Sequence, residues 1–212
     1  VKNKFRLVAA VICNLTSAVL TAVSILHFFV TGGEGNMAVL GVTCFRYFTV
    51  DSNLLAALGC CALLPYQLLQ LTGKRQLSLP RWTVLLKFIG TAAVTVTLLT
   101  VLFYLAPSIG FAELFLGDNL YMHLITPVLC LLSCCVLENE IRLPLWQSLA
   151  GMLPSLIYGS FYLVQVVFCQ IWPDFYMFNI DGRWYLTVAL SLPLTAALCI
   201  GLTALRNRLS QK

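Results

Sequence analysis

The chain has 212 residues, of which 60% are hydrophobic and only 10% charged, and it carries a net charge of +5. That balance lies outside the range of soluble globular domains and marks an integral membrane protein. The basic excess has no aromatic-basic surface or recognisable module behind it, so no nucleic-acid partner is expected.

Six apolar stretches, at about 7–30, 46–71, 82–106, 119–137, 146–171 and 184–205, each come near the roughly 20 residues a helix needs to cross hydrocarbon. The runs are continuous rather than alternating with period two, which disfavours a closed β-barrel. The expectation is all-α: one domain, residues 1–212, forming a bundle of six transmembrane helices. Breakers separate the runs, among them "TGGEGN" at 31–36, Pro80, Pro107 and "PDF" at 173–175. The first run has a basic leader but exceeds the length of a signal-peptide core, so it is read as a true span.

Cations set the expected orientation. Lys2, Lys4, Arg6, Lys74, Arg75, Arg81, Lys87, Arg142, Arg206, Arg208 and Lys212 fall on one side of such a bundle, against Arg46 and Arg183 on the other. The positive-inside rule then puts both termini in the cytoplasm, with a bacterial cytoplasmic membrane as the expected location.

The first span carries Asn14, Ser17, Thr21, Ser24 and His27 or Phe28 at spacings of three and four, a polar stripe that should face the interior. Such stripes usually supply interhelical hydrogen bonds and close packing. His27 ends the stripe and is a candidate site-lining residue.

The second span opens on "FRYFTVDSNLL" at 45–55. Thr49, Ser52 and Asn53 stand at i, i+3 and i+4 and share a face, while Asp51 points about 200° away from Thr49. A helix N-cap is the plainer reading of this cluster. Thr49 lies about 4–5 Å deeper than Arg46, within reach of water. Asp51 should find a partner such as Arg46, Arg183 or a histidine.

The fourth span repeats the design in "GDNLYMHLITPVL" at 117–129. Asn119, His123, Thr126, Pro127, Cys130 and Cys134 share a face. Pro127 has no N–H, so the carbonyl of His123 loses its helical partner and a kink is expected there. Counted from Asp118, His123 is about 7 Å deep, close to Thr49. The two should meet within hydrogen-bond reach or one water of it. A neutral imidazole beside a threonine hydroxyl can take its proton during attack on an ester carbonyl, which is acyl-transfer chemistry.

In the fifth span Ser155, Tyr158, Tyr162, Gln165 and Cys169 form a second stripe. Asn53 or Tyr158 is a candidate to orient His123 or bind an oxyanion. Asp174, Asp181 and Arg183 before the last span are read as solvated, with a polar lid as the alternative. Most of the nine cysteines lie inside apolar runs and read as small hydrophobes; Cys44 and Cys169 both fall on the external side and are candidates to pair. No metal site and no cofactor are expected.

"FTVDSNLL" together with "NLYMHLITPVL", in six spans, resembles the androgen-induced membrane protein family and its prokaryotic six-helix branch. Eukaryotic members hydrolyse fatty acid esters of hydroxy fatty acids (FAHFA) with a threonine nucleophile and a histidine. The resemblance implies Thr49 as nucleophile and His123 as its partner. The chain departs from the eukaryotic pattern at Ser52, where an aspartate is expected, and at Leu120, where another histidine is expected. The prokaryotic Phe-Thr followed by Ser-Asn fits better. The expected function is therefore an intramembrane hydrolase of lipid-like esters, with a fatty-acyl substrate. The alternative is a non-catalytic lipid-binding or regulatory membrane protein. A channel or transporter is disfavoured, because the spans hold no carboxylate ring, broken-helix pair or internal repeat.

Overall fold

A computed structural model describes residues 4–32, 41–73 and 78–210. It has six helices long and apolar enough to cross a membrane, and no strand among the described residues. They are α1 (Lys4–Val30), α2 (Phe48–Leu71), α3 (Arg81–Ile109), α4 (Asp118–Leu137), α5 (Leu145–Phe168) and α6 (Trp184–Leu209). Six spans bring both ends of the bundle to one face, called here the near face; α2, α4 and α6 begin at the opposite, far face. Lys2, Lys74, Arg75, Lys212 and most of the 31–36 turn lie outside the described residues.

The helices differ in how much of themselves they bury. In α3, 61% of the apolar window is covered, against 17% in α5 and 22% in α6, so α3 is the central post and α5 and α6 are mostly lipid-facing. In a bilayer, helix association is driven by close packing and interhelical hydrogen bonds rather than by the hydrophobic effect. The α2–α3 contact shows this. A Cβ on Gly59 would sit 2.8 Å from the Cα of Lys87, and one on Gly90 would sit 2.6 Å from the Cα of Ala56. Two backbones meet there with no room for a side chain between them.

Ahead of two span prolines the helix widens instead of breaking. A π-helical turn, Tyr121–Ile125, precedes Pro127 in α4, and another, Val101–Leu105, precedes Pro107 in α3. The expected opening at His123 thus takes the form of an i→i+5 turn with His123 inside it.

Two cations expected at the near side are buried rather than facing water. Lys87 does not flank the connection before α3; it is 1% exposed, and its Nζ donates to Asn14 Oδ1 at 2.8 Å and Cys60 Sγ at 2.9 Å. Lys87 sits six residues into α3 on the face that meets α2, and a lysine there has protein rather than water to reach. Arg206 is also 1% exposed and donates to the carbonyls of Cys134, Glu138 and Ile141, closing the near end of α4. Cys44 and Cys169 do not pair: both are free thiols, Cys44 buried and Cys169 exposed. Burial raises the Cys44 thiol above its ordinary pKa, so it stays an unreactive neutral thiol.

Candidate active site

Helix α2 starts at Phe48 with Tyr47 as its cap residue and no side-chain cap bond. The hydroxyls and amide after it are therefore not caps. Ser52 Oγ donates back to the Thr49 carbonyl at 3.1 Å and shares a hydrogen bond with Thr97 Oγ1 of α3 at 2.9 Å. Asn53 Nδ2 donates to the same Thr49 carbonyl (2.8 Å) and to the Met122 carbonyl of α4 (3.0 Å). These bonds fix the first turn of α2 against α3 and α4 and leave the Thr49 hydroxyl free to point inward.

What it meets is His123. Thr49 Oγ1 lies 3.3 Å from His123 Nε2, and both residues are buried. The other ring nitrogen, Nδ1, is 2.7 Å from the Leu114 carbonyl. A carbonyl only accepts, so Nδ1 carries the proton and Nε2 presents a lone pair to the threonine O–H. The edge of Phe115 covers the imidazole from the side, with ring centroids 6.4 Å apart. The histidine tautomer needed for a general base is thus set by one backbone contact from the short helix Phe111–Leu114.

Thr49 also lines a cavity of about 800 Å³ between α3, α5 and α6. Its wall is apolar, and residues at its margin such as Phe103, Leu190 and Leu194 are exposed on the lipid-facing surface. A cavity of this size and lining suits an acyl chain.

Tyr176, which no motif or spacing singled out, also lines the cavity. Its hydroxyl is buried beside those of Thr49 and Tyr158, close to both but aligned with neither, and it has no hydrogen-bond partner. Burial pushes the phenol up to about 12, against a smaller opposing influence from Thr49, so it remains an O–H donor at neutral pH. The connection before α6 holds it in place. Asp174 is not simply solvated: it accepts from Tyr162 Oη (2.8 Å) and from the Phe178 and Asn179 amides (2.8 and 2.7 Å). Met177 takes a left-handed backbone (φ 49°), and Tyr104 Oη caps its carbonyl at 2.7 Å. Asp181 and Arg183 are exposed.

The remaining candidates are partly dispersed. His27 Nδ1 pairs with Asp118 Oδ2 at 2.7 Å on the far face. Asn119 Nδ2 donates to the Glu113 carbonyl (3.0 Å), which steadies the segment that holds His123. Tyr158 Oη donates to the Arg46 carbonyl at 2.6 Å, so it fixes the start of α2 rather than orienting His123. Asp51 has no ion-pair partner among the described residues and faces away from Thr49; Arg46 instead lies over the Tyr47 and Phe175 rings.

Behind the dyad, away from the cavity, lies a group of unpartnered buried oxygens: Thr21 Oγ1, Ser24 Oγ, Asn53 Oδ1, Asn119 Oδ1 and Thr126 Oγ1. Left dry, each would cost about 1–3 kcal/mol, and together they would rival the whole net stability of an ordinary domain. Half a membrane away, the near-face network is mostly paired, with Glu138 Oε2 left over. Asn14 Nδ2 donates to Gln67 Oε1 (3.0 Å) and to Glu138 Oε1, Gln67 Nε2 donates to Glu138 Oε1 (2.5 Å), and Lys87 completes the set.

Compared with family models, with curated proteins and with solved structures, the chain matches none.

Proposed function

We propose that this protein is an intramembrane hydrolase of lipid-like esters, of the fatty acid ester of hydroxy fatty acid type, with Thr49 as nucleophile and His123 as general base. The observation that carries the reading is the 3.3 Å approach of Thr49 Oγ1 to an Nε2 lone pair, at the wall of an acyl-sized apolar cavity. The resemblance of the two short motifs to the androgen-induced membrane protein family supports the same reading.

In this mechanism the acyl chain enters from the bilayer between α3, α5 and α6 and brings its carbonyl to Thr49. The Thr49 oxygen adds to the carbonyl carbon while its proton passes to His123 Nε2. Charge develops on the carbonyl oxygen, and the Tyr176 O–H is the donor placed to receive it. The tetrahedral adduct collapses, the alkoxide leaves with the proton from His123, and an acyl-Thr49 ester remains. Water then adds to that ester, gives a proton to His123, and releases the fatty acid as Thr49 recovers its proton. The Leu114 carbonyl holds the imidazole through both halves and stabilises its charged form.

Orientation follows from the cations: with Lys4, Arg6, Arg81, Arg142 and Arg208 on the near face, the near face is cytoplasmic and the dyad lies in the external half of a bacterial cytoplasmic membrane.

A fluorophosphonate carrying a long alkyl chain tests the reading. Peptide mapping is expected to find the phosphonyl group on Thr49, and on no residue in a Thr49→Ala protein. A protein that binds such ligands but is never modified is instead a lipid-binding protein.

A further inference from the structure

The dyad has two unlike sides. On the cavity side an acyl chain displaces water, yet the acyl-Thr49 ester needs water to turn over. The five unpartnered oxygens of Thr21, Ser24, Asn53, Asn119 and Thr126 lie on the other side. Each residue is at most 2% exposed, and none lines the acyl cavity. They come from three helices that converge on His123. Asn119 and Thr126 stand four residues before it and three after it on the same helix face. The Asn53 amide bonds to the carbonyl of the preceding residue, Met122. Thr21 and Ser24 lie on the buried stripe of α1, which packs against the 121–125 turn.

The group ends in a histidine–aspartate pair on one side and a buried lysine on the other. Toward the far face, one turn beyond Ser24, is the His27–Asp118 pair, whose histidine side chain is 32% exposed. Toward the near face, Ser17 meets Cys130 Sγ (3.8 Å), which lies 3.7 Å from Lys87 Nζ. A fixed ammonium at that end repels hydronium, as positive groups do in water-selective pores.

We infer that these five oxygens form a hydrated path, open at His27–Asp118 and closed at Lys87, that brings the hydrolytic water to His123 from behind the acyl chain. This rests on the ester-hydrolase reading for its purpose, though not for its existence. Buried polar atoms with no protein partner are where internal water binds, each such water using two to four polar neighbours. Along this path water reaches Nε2 without crossing the acyl cavity. It gives one proton to Nε2 while its oxygen adds to the acyl carbon; the bond to Thr49 Oγ1 breaks, and the proton returns to that oxygen.

Thr21→Val and Thr126→Val, together in one protein, remove two hydroxyls without removing any hydrogen bond within the protein. In nanodiscs with a long-chain p-nitrophenyl ester, this variant is expected to keep the initial burst of nitrophenol. Its steady-state rate is expected to fall at least tenfold, with acyl-protein accumulating by intact mass. An unchanged steady-state rate with no acyl-protein overturns the path and leaves the hydrolase reading standing. A wild-type protein with no turnover at all defeats the hydrolase reading instead. In that event the path is read separately by pulsed hydroxyl-radical labelling, which oxidises buried side chains beside bound water. Oxidation of His123 and Met122 in the wild type, lost in the double variant, supports the path; no oxidation of either in the wild type overturns it.

Discussion

The far and near halves of the bundle are both polar inside, but they use polarity differently. In the near half Lys87, Asn14, Gln67 and Glu138 bond to one another, and Arg206 saturates three carbonyls. The groups there are charged, and nearly every donor is used. In the far half the pair is neutral, Thr49 with His123, and around it Tyr176, Asn53 and Thr126 keep buried oxygens with no partner. The near network bonds helix to helix although Glu138 Oε2 is left without a partner; the far one leaves a cluster of side-chain oxygens unpaired, hydrogen-bonding capacity for something that arrives. On that ground the proposed chemistry is assigned to the far half and structural cross-linking to the near half, although the near half has the stronger charges.

The comparison breaks most directly at the dyad. Thr49→Ala and His123→Ala are each expected to lower long-chain ester hydrolysis by at least about 10³-fold. For Thr49→Ala the thermal midpoint should hardly move, because the Ser52 and Asn53 bonds use the Thr49 carbonyl, which alanine retains; His123→Ala also loses the bond to the Leu114 carbonyl and should lower the midpoint. Lys87→Met should do the reverse. It leaves the buried Asn14 Oδ1 without its donor, and a buried acceptor left unsatisfied costs about 1–3 kcal/mol. Denaturant or thermal unfolding in mild detergent reads this directly, and whatever protein remains folded should hydrolyse at the normal rate. A folded, stable but inactive Lys87→Met protein would move chemistry into the near half.

Tyr176→Phe sharpens the far side. Loss of one oxyanion donor is worth about 10²–10³-fold in kcat, with KM little changed. The phenol is pushed up to about 12, so the donor form is fully present at and below neutral pH and is lost only as pH rises through that value. Between pH 7 and 10, then, the wild-type rate profile should show no alkaline limb from this group, and the Tyr176→Phe profile should run parallel beneath it.

The six spans were legible because a bilayer demands long apolar helices, and each expected run agrees with a helix to within a few residues. The meeting of Thr49 and His123 was legible for a related reason: both sit near the start of helices beginning at the same face, and 1.5 Å per residue turns sequence position into depth. Lys87 was misread because sequence gives depth but not the face a side chain takes. Its signal was there: Thr83, Lys87, Thr91 and Thr95 recur every four residues, a polar stripe on the face of α3 that is buried. The α2 cap reading failed because the helix begins at Phe48, with Tyr47 at the cap position, so Ser52 and Asn53 already lie in its second turn and bond instead to Thr97 and the Met122 carbonyl. Tyr176 left no trace in any spacing. Its place comes from Asp174 and a left-handed Met177 folding a connection whose aromatic residues look alike in sequence.

In the proposed mechanism Thr49 and His123 act as one unit. The measurement that tests it most directly is a cycle of steady-state hydrolysis rates for wild type, Thr49→Ala, His123→Ala and the double variant, on one long-chain ester in nanodiscs. Residues that act together are strongly non-additive. A double variant hardly slower than either single one is the expected result. Multiplying losses, or a Thr49→Ala protein that cleaves the ester at the wild-type rate, would contradict it.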